Sequence, residues 1–129
     1  MTTWYLDTSA ALKLVLTEAE SPALIGAITA EKPRLVACQL LETEVRRAAH
    51  RASPLDQQLA TSLLDRIDLY QVTPAVLSHA GLLPGEHLRS LDAIHVAAAV
   101  AIGVDHLVTY DHRMADAARS AGISVLQPS

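Results

Sequence analysis

Phenylalanine is absent from this chain, and its aromatic side chains are Trp4, Tyr5, Tyr70 and Tyr110. A module that holds RNA bases by stacking needs exposed aromatic platforms, so that class of binder is disfavoured from the outset. The single cysteine, Cys38, cannot close an internal disulfide, and its place at the end of an apolar run marks it as a small buried hydrophobe. Apolar stretches are broken by charge or glycine well short of the roughly 20 residues of a membrane span. The N-terminus also lacks a basic region followed by an apolar block and a small-residue cleavage site. A cytoplasmic protein without membrane attachment is expected. No repeat or low-complexity segment is present.

Half of the 129 residues are apolar, enough for one real core, and the chain reads as a single domain over residues 1–129. The net charge of −4 runs against nucleic acid as a partner, because phosphate contacts need Lys and Arg. That objection weakens if four of the acids form a cation site. Arg46, Arg47 and Arg51 share a predicted helix with Glu44, and Arg89 and Arg113 lie near Asp92 and Asp111 in sequence.

Period and punctuation predict the elements. Trp4-Tyr5-Leu6 is a strand ending at Asp7, after which Thr8 or Ser9 can cap a helix carrying Ala11, Leu12, Val15 and Leu16. Arg34 to Ala37 is a second strand, followed by a helix from about Gln39 to Arg51 with Glu44 one turn inside. Ser90 is the expected N-cap of a helix that has Asp92 in its first turn and ends at Gly103. His106 to Tyr110 is a strand, and Asp111 follows it before an alanine-rich helix beginning near Met114. Asp68 to Val72 and Ile123 to Leu126 complete the strand set, and Leu82 to His87 is the clearest loop. Ser21-Pro22, Ser53-Pro54 and Thr73-Pro74 each predict a helix start, with Pro in the first turn. Strands separated by helices imply parallel crossovers, hence a three-layer α/β/α sandwich around a parallel sheet of about five strands.

Ligands of such sheets bind outside the carboxyl ends of the strands, at the topological switch point. Asp7, Glu44, Asp92 and Asp111 all fall at strand ends or on the helix turns beside them. Carboxylates gathered at one edge repel unless a cation neutralises them, so the pattern points to a divalent metal and to phosphodiester cleavage. Each acid alone has a plainer use. Asp92 can favour its helix dipole, Glu44 can pair with Arg47 or Arg51, and Asp7 and Asp111 can serve turns. A non-catalytic acidic interaction module is the competing reading. A phosphotransfer receiver domain would want adjacent acids after its first strand and a late lysine, whereas Lys13 and Lys32 are the only lysines. A dehalogenase-like phosphatase would need Asp at position 9, which is Ser. The histidines lack the paired spacing of a zinc helix, and His95 reads as packed or hydrogen-bonded.

Leu6-Asp7-Thr8-Ser9-Ala10, Val36-Ala37 with Glu44-Val45-Arg46-Arg47-Ala48, Leu91-Asp92-Ala93-Ile94-His95 and Val108-Thr109-Tyr110-Asp111 with Ala117-Ala118 resemble the PIN-domain ribonucleases. More narrowly, they resemble the VapC toxins of toxin–antitoxin pairs. The resemblance spans essentially the whole chain in the family's order. It implies an endoribonuclease dependent on Mg²⁺ or Mn²⁺, with Asp7, Glu44, Asp92 and Asp111 as metal-binding and catalytic acids. Thr8 or Ser9 would hold a metal-bound water or a carboxylate, and Asp116 would be an outer ligand of second rank. Cys38 departs from the Ser or Thr that many members carry before the Glu-bearing helix. The resemblance further implies a homodimer and a cognate VapB-type antitoxin, assembled as a heterotetramer or larger. The apolar helices Leu40 to Ala49 and Leu55 to Leu64 independently suggest an exposed patch for association.

Overall fold

The computed structural model describes residues 1–129. Its strands are β1 (Thr3–Leu6), β2 (Arg34–Cys38), β3 (Asp68–Tyr70), β4 (His106–Val108) and β5 (Ser124–Leu126). They form one five-stranded sheet in the order β3-β2-β1-β4-β5, every pairing parallel. The helices are α1 (Thr8–Leu12), α2 (Ser21–Glu31), α3 (Leu40–Arg51), α4 (Gln57–Leu64), α5 (Pro74–Leu82), α6 (Ser90–Ile102) and α7 (His112–Ser120). By mutual contact, α1, α3 and α4 form one group and α5, α6 and α7 another. These are the two layers that right-handed crossovers on a parallel sheet require.

The central strands are short apolar runs because both faces of the sheet are covered. Tyr5, Leu6, Val36, Ala37, Cys38, Leu107 and Val108 are all fully buried. Chain order reverses between β1 and β4, the two neighbours at the centre, so the switch-point crevice opens where Asp7 leaves β1 and Asp111 follows β4.

Several local expectations are corrected. Asp7 itself caps α1, its side chain accepting from Ala10 N–H, so neither Thr8 nor Ser9 is needed there. Ser53-Pro54 starts no helix. Residues 52–55 form a turn closed by Leu55 N–H on the Ala52 carbonyl, which tucks Leu55 into the interior, and Asp56 caps α4 instead. Ser21 is the first residue of α2 rather than its cap, its hydroxyl donating to the Leu16 carbonyl and so serving the preceding loop. Thr73 caps α5 as its sequence predicts. The cap position of α6 falls on Arg89, not Ser90, with no side-chain bond. Helix α7 begins at His112 because Asp111 receives the Arg113 and Met114 N–H groups.

The apolar patch expected on α3 and α4 is not free, since Leu41, Val45, Ala60, Leu63 and Leu64 belong to the core. The two helices cover each other, leaving Leu59 at 39% exposure. No helix is long and apolar enough to cross a membrane.

Candidate active site

At the end of β1, Asp7 is buried, with 2% exposure. Its Oδ1 accepts from Ser9 Oγ at 2.7 Å and from Ala10 N–H at 2.9 Å, and its Oδ2 accepts from Thr109 Oγ1 at 2.5 Å. Burial pushes its pKa up, and these hydrogen bonds only partly oppose the shift. Ser9 also accepts the Tyr110 N–H at 3.3 Å, so one hydroxyl joins the β1 and β4 ends.

Glu44, in the second turn of α3, is held asymmetrically. Its Oε1 accepts from Thr8 Oγ1 at 2.7 Å and lies 2.6 Å from His95 Nε2, while Oε2 has no protein partner. Burial acts to raise its pKa, but the His95 and Thr8 contacts win and hold it below the usual carboxylate range. Burial likewise acts to lower His95, yet its hydrogen bonds to Cys38 and Glu44 carry it up to about 10. The pairings of Glu44 with Arg47 or Arg51 that helical spacing allows are not made.

Asp92 lies in the first turn of α6, and its side chain makes no hydrogen bond within the protein and lines the cleft. Its pKa is raised, first by burial and then by Asp111, with Asp7 and Glu44 adding to the effect and His95 opposing it. Asp92 thus feels the charge of each of the other three acids. Asp111 spends Oδ1 on the Arg113 and Met114 N–H groups, at 2.9 and 3.1 Å, and keeps Oδ2 without a protein partner.

Glu44, Asp92 and Asp111 line one open cleft of about 360 Å³ with Arg89, Ser90, Leu91 and Arg113. Asp7 sits outside this lining, close enough to act on Asp92 through charge. Arg89 and Arg113 make no ion pair, although carboxylates share their cleft. Arg46, by contrast, is occupied by Glu42, Gln57 and Thr61. Asp116 does not join the cleft. It is exposed on α7, 3.6 Å from Arg119, beside a separate hollow.

In this conformation no three His, Cys, Asp or Glu side chains are gathered closely enough to enclose an ion by themselves. The open oxygens are nonetheless hard donors of one kind: Glu44 Oε2, Asp111 Oδ2 and both oxygens of Asp92. That set suits a cation of the Mg²⁺ type, which keeps several waters and takes phosphate oxygens to fill its shell. Sequence reading assigned no role to Thr109, although a hydroxyl two residues before a strand-end acid was a usable signal. It read His95 as packed or hydrogen-bonded but did not find its partners, Tyr5, Cys38 and Glu44, which are distant in sequence.

Residues 4–120 match the family model described as the PIN domain. Ribonuclease VapC46 of Mycobacterium tuberculosis is 44% identical over 128 residues, covering 97% of this chain and 97% of that one. Ribonuclease VapC35 of the same organism is 37% identical over 129 residues, 96% of each chain. Among solved structures, M. tuberculosis VapC20, a sarcin-ricin loop cleaving toxin, aligns with a TM-score of 0.74 at 17% identity, over 97% of this chain and 99% of that one. A toxin–antitoxin complex from Klebsiella pneumoniae aligns with a TM-score of 0.72 at 21% identity, over 97% of each chain. At these identities the structural likeness speaks to the fold.

Proposed function

The chain belongs to the PIN-domain family, in its VapC group, and from that premise we propose that it is a divalent-cation-dependent endoribonuclease and the toxin of a toxin–antitoxin pair. The observation that carries this reading is the placing of Asp92, a carboxyl without a hydrogen bond in the cleft it shares with Glu44 and Asp111, its pKa raised first by burial and then by Asp111, with Asp7 and Glu44 adding to the effect. Such a cluster costs folding stability and is useful only when positive charge enters it.

In this reading Asp92, Glu44 and Asp111, with Oε2 and Oδ2 the free oxygens of the last two, would hold Mg²⁺ or Mn²⁺. Asp7 would support them from its buried place outside the cleft lining, kept rigid by Ser9, Ala10 and Thr109. When bound, the cation supplies activation of a water and neutralisation of the phosphate in a hydrolytic displacement. Arg89 and Arg113, unpaired on the cleft rim, take the phosphates that flank the scissile bond. Asp111 does two jobs at once, since the oxygen that caps α7 also fixes where its other oxygen points.

The antitoxin is proposed to lay a C-terminal segment in the groove beside Glu44. That groove is lined by Leu12, Leu40, Ala48 and Leu91, with Arg47 and Arg51 at its side. An arginine from that segment, paired with the carboxylates, is the proposed means of inhibition. A homodimer, and a heterotetramer or larger with antitoxin, is the proposed assembly, acting in the cytoplasm.

The test is direct. Purified protein is incubated with structured RNA at graded Mg²⁺ or Mn²⁺, beside Asp92→Asn and Glu44→Gln variants. Cleavage by the parent that needs the cation and is lost in both variants supports the reading. Folded protein that neither binds divalent cations by calorimetry nor cuts RNA would instead favour the non-catalytic interaction module.

A further inference from the structure

Glu44 has three rotatable side-chain torsions and a side chain 23% exposed at the cleft, so nothing in its own chemistry decides which oxygen faces outward. Two donors decide it, and both meet Oε1: Thr8 Oγ1 at 2.7 Å and His95 Nε2 at 2.6 Å. Thr8 lies on the short, partly exposed α1 and can rotate about its χ1 torsion. His95 cannot follow such motion. Its side chain is 1% exposed on α6, and the Tyr5 ring packs edge-on to it at 5.7 Å.

The second ring nitrogen of His95 is also fixed. Nδ1 lies 2.7 Å from Tyr5 Oη, which in turn accepts the backbone N–H of Cys38 at 3.1 Å, and the Cys38 Sγ is a longer second partner of the same nitrogen at 3.9 Å. A continuous chain of hydrogen bonds therefore runs from the β2 backbone, through Tyr5 on β1 and His95 on α6, to Glu44 on α3. Tyr5 donates to a neutral ring and accepts from a charged one, and in both states Nε2–H faces Glu44. No atom in this chain borders the cleft until Glu44 itself is reached.

We propose that His95 is a positioning residue that turns Glu44 Oε1 inward and presents Oε2 to the cleft, with Tyr5 fixing the imidazole from behind. The inference rests on the reading of Glu44 as a working carboxylate. It places the control of that carboxylate in the opposite helical layer, where packing of α6 against the sheet sets the aim of a side chain on α3. Partners that orient a ligating group commonly contribute a ~10–100-fold effect when removed.

Two substitutions at one position separate aiming from packing. The amide of Gln reaches the place of Nε2, whereas that of Asn reaches only the place of Nδ1. His95→Gln is expected to keep kcat within several-fold of the parent, and His95→Asn to lower kcat ~10–100-fold with KM for RNA unchanged. Tyr5→Phe removes one hydroxyl from the same chain and is expected to lower kcat several-fold, which covers the case in which His95→Asn does not fold.

A readout without cation or RNA accompanies these assays: proton–nitrogen NMR of the histidine ring in the metal-free protein. A protected, strongly downfield Nε2–H resonance is expected in the parent. It should broaden in Tyr5→Phe and move upfield in Glu44→Ala. Equal losses in His95→Gln and His95→Asn overturn the proposal, as does an Nε2–H resonance indifferent to Glu44→Ala. Loss of cleavage in Glu44→Gln with full kcat in His95→Asn sinks the positioning role and leaves the ribonuclease reading intact. Absence of parent cleavage fails that reading alone, because the ring resonance still reports the tether.

Discussion

Thr109 Oγ1 donates its proton to Asp7 Oδ2 at 2.5 Å and itself accepts the Asp111 N–H at 3.1 Å. One buried side chain therefore ties the acid after β1 to the acid after β4, across the crevice where the sheet changes direction. The two acids share a fixed geometry although they are distant in sequence.

Thr109→Val keeps the shape and removes both bonds. Asp7, already raised by burial, loses one of the donors that hold it down, so the acid limb of the cleavage profile should move to higher pH. Stability should fall by about 1–3 kcal/mol. The sign of its pH dependence follows from Asp7. A carboxyl raised in the fold is unpenalised below its unfolded pKa near 3.8 and costs stability as pH rises through its folded pKa. The loss should thus be larger at neutral pH than near pH 4, as denaturant melts at the two pH values would reveal.

Asp92→Asn should stabilise the cation-free protein at neutral pH. The folded pKa of Asp92 is raised, by burial first and then by its acidic neighbours, so its ionised form is the destabilising one. The gain in Tm should vanish as pH falls below the unfolded pKa, where the parent is also neutral. Millimolar Mg²⁺ or Mn²⁺ should raise the parent's Tm and leave the variant nearly unmoved. A lower Tm for the variant at neutral pH without cation would contradict this account of Asp92.

Arg89→Ala and Arg113→Ala should weaken RNA binding with little change in fold, because neither side chain makes an ion pair. Each removed phosphate contact should flatten the slope of log affinity against log salt by ~0.7 for single-stranded RNA. Arg46→Ala is the control. Its partners lie along α3 and α4, and its salt slope should match the parent's.

Asp111 separates capping from catalysis. Asn caps helices as well as Asp, so Asp111→Asn should melt with the parent while cutting RNA far more slowly; Asp111→Ala should lose both activity and about 1 kcal/mol. Asp116→Ala, at an exposed position outside the cleft, should stay within about 0.5 kcal/mol of the parent and retain its cleavage rate. A drop in rate for Asp116→Ala as large as that for Asp111→Asn would return Asp116 to the site.

Much of the fold was legible in the chain because its signals are local. Apolar runs such as Trp4-Tyr5-Leu6 and Leu35-Val36-Ala37, separated by helical periods, can satisfy their backbones only as parallel strands with helical crossovers. Each acid also had a readable address at a strand end or in a helix's early turns. Cap details were less legible. At Asp7, Ser21 and Ser53-Pro54 several polar side chains compete for the same few N–H groups, and the winner depends on what the neighbouring loop buries.

What only tertiary structure decided was the state of each carboxylate. Local pattern cannot tell that Asp7 is buried under Thr109, that Arg46 is spent on α4, or that Asp116 points away. Nor can it tell that Glu44 answers to His95 and Tyr5 rather than to the arginines on its own helix. Sequence set which groups are present and on which elements. Hydrogen-bond direction and burial depend on atoms brought together from residues 5, 38, 44, 95 and 109, and those distances exist only once the sheet has closed.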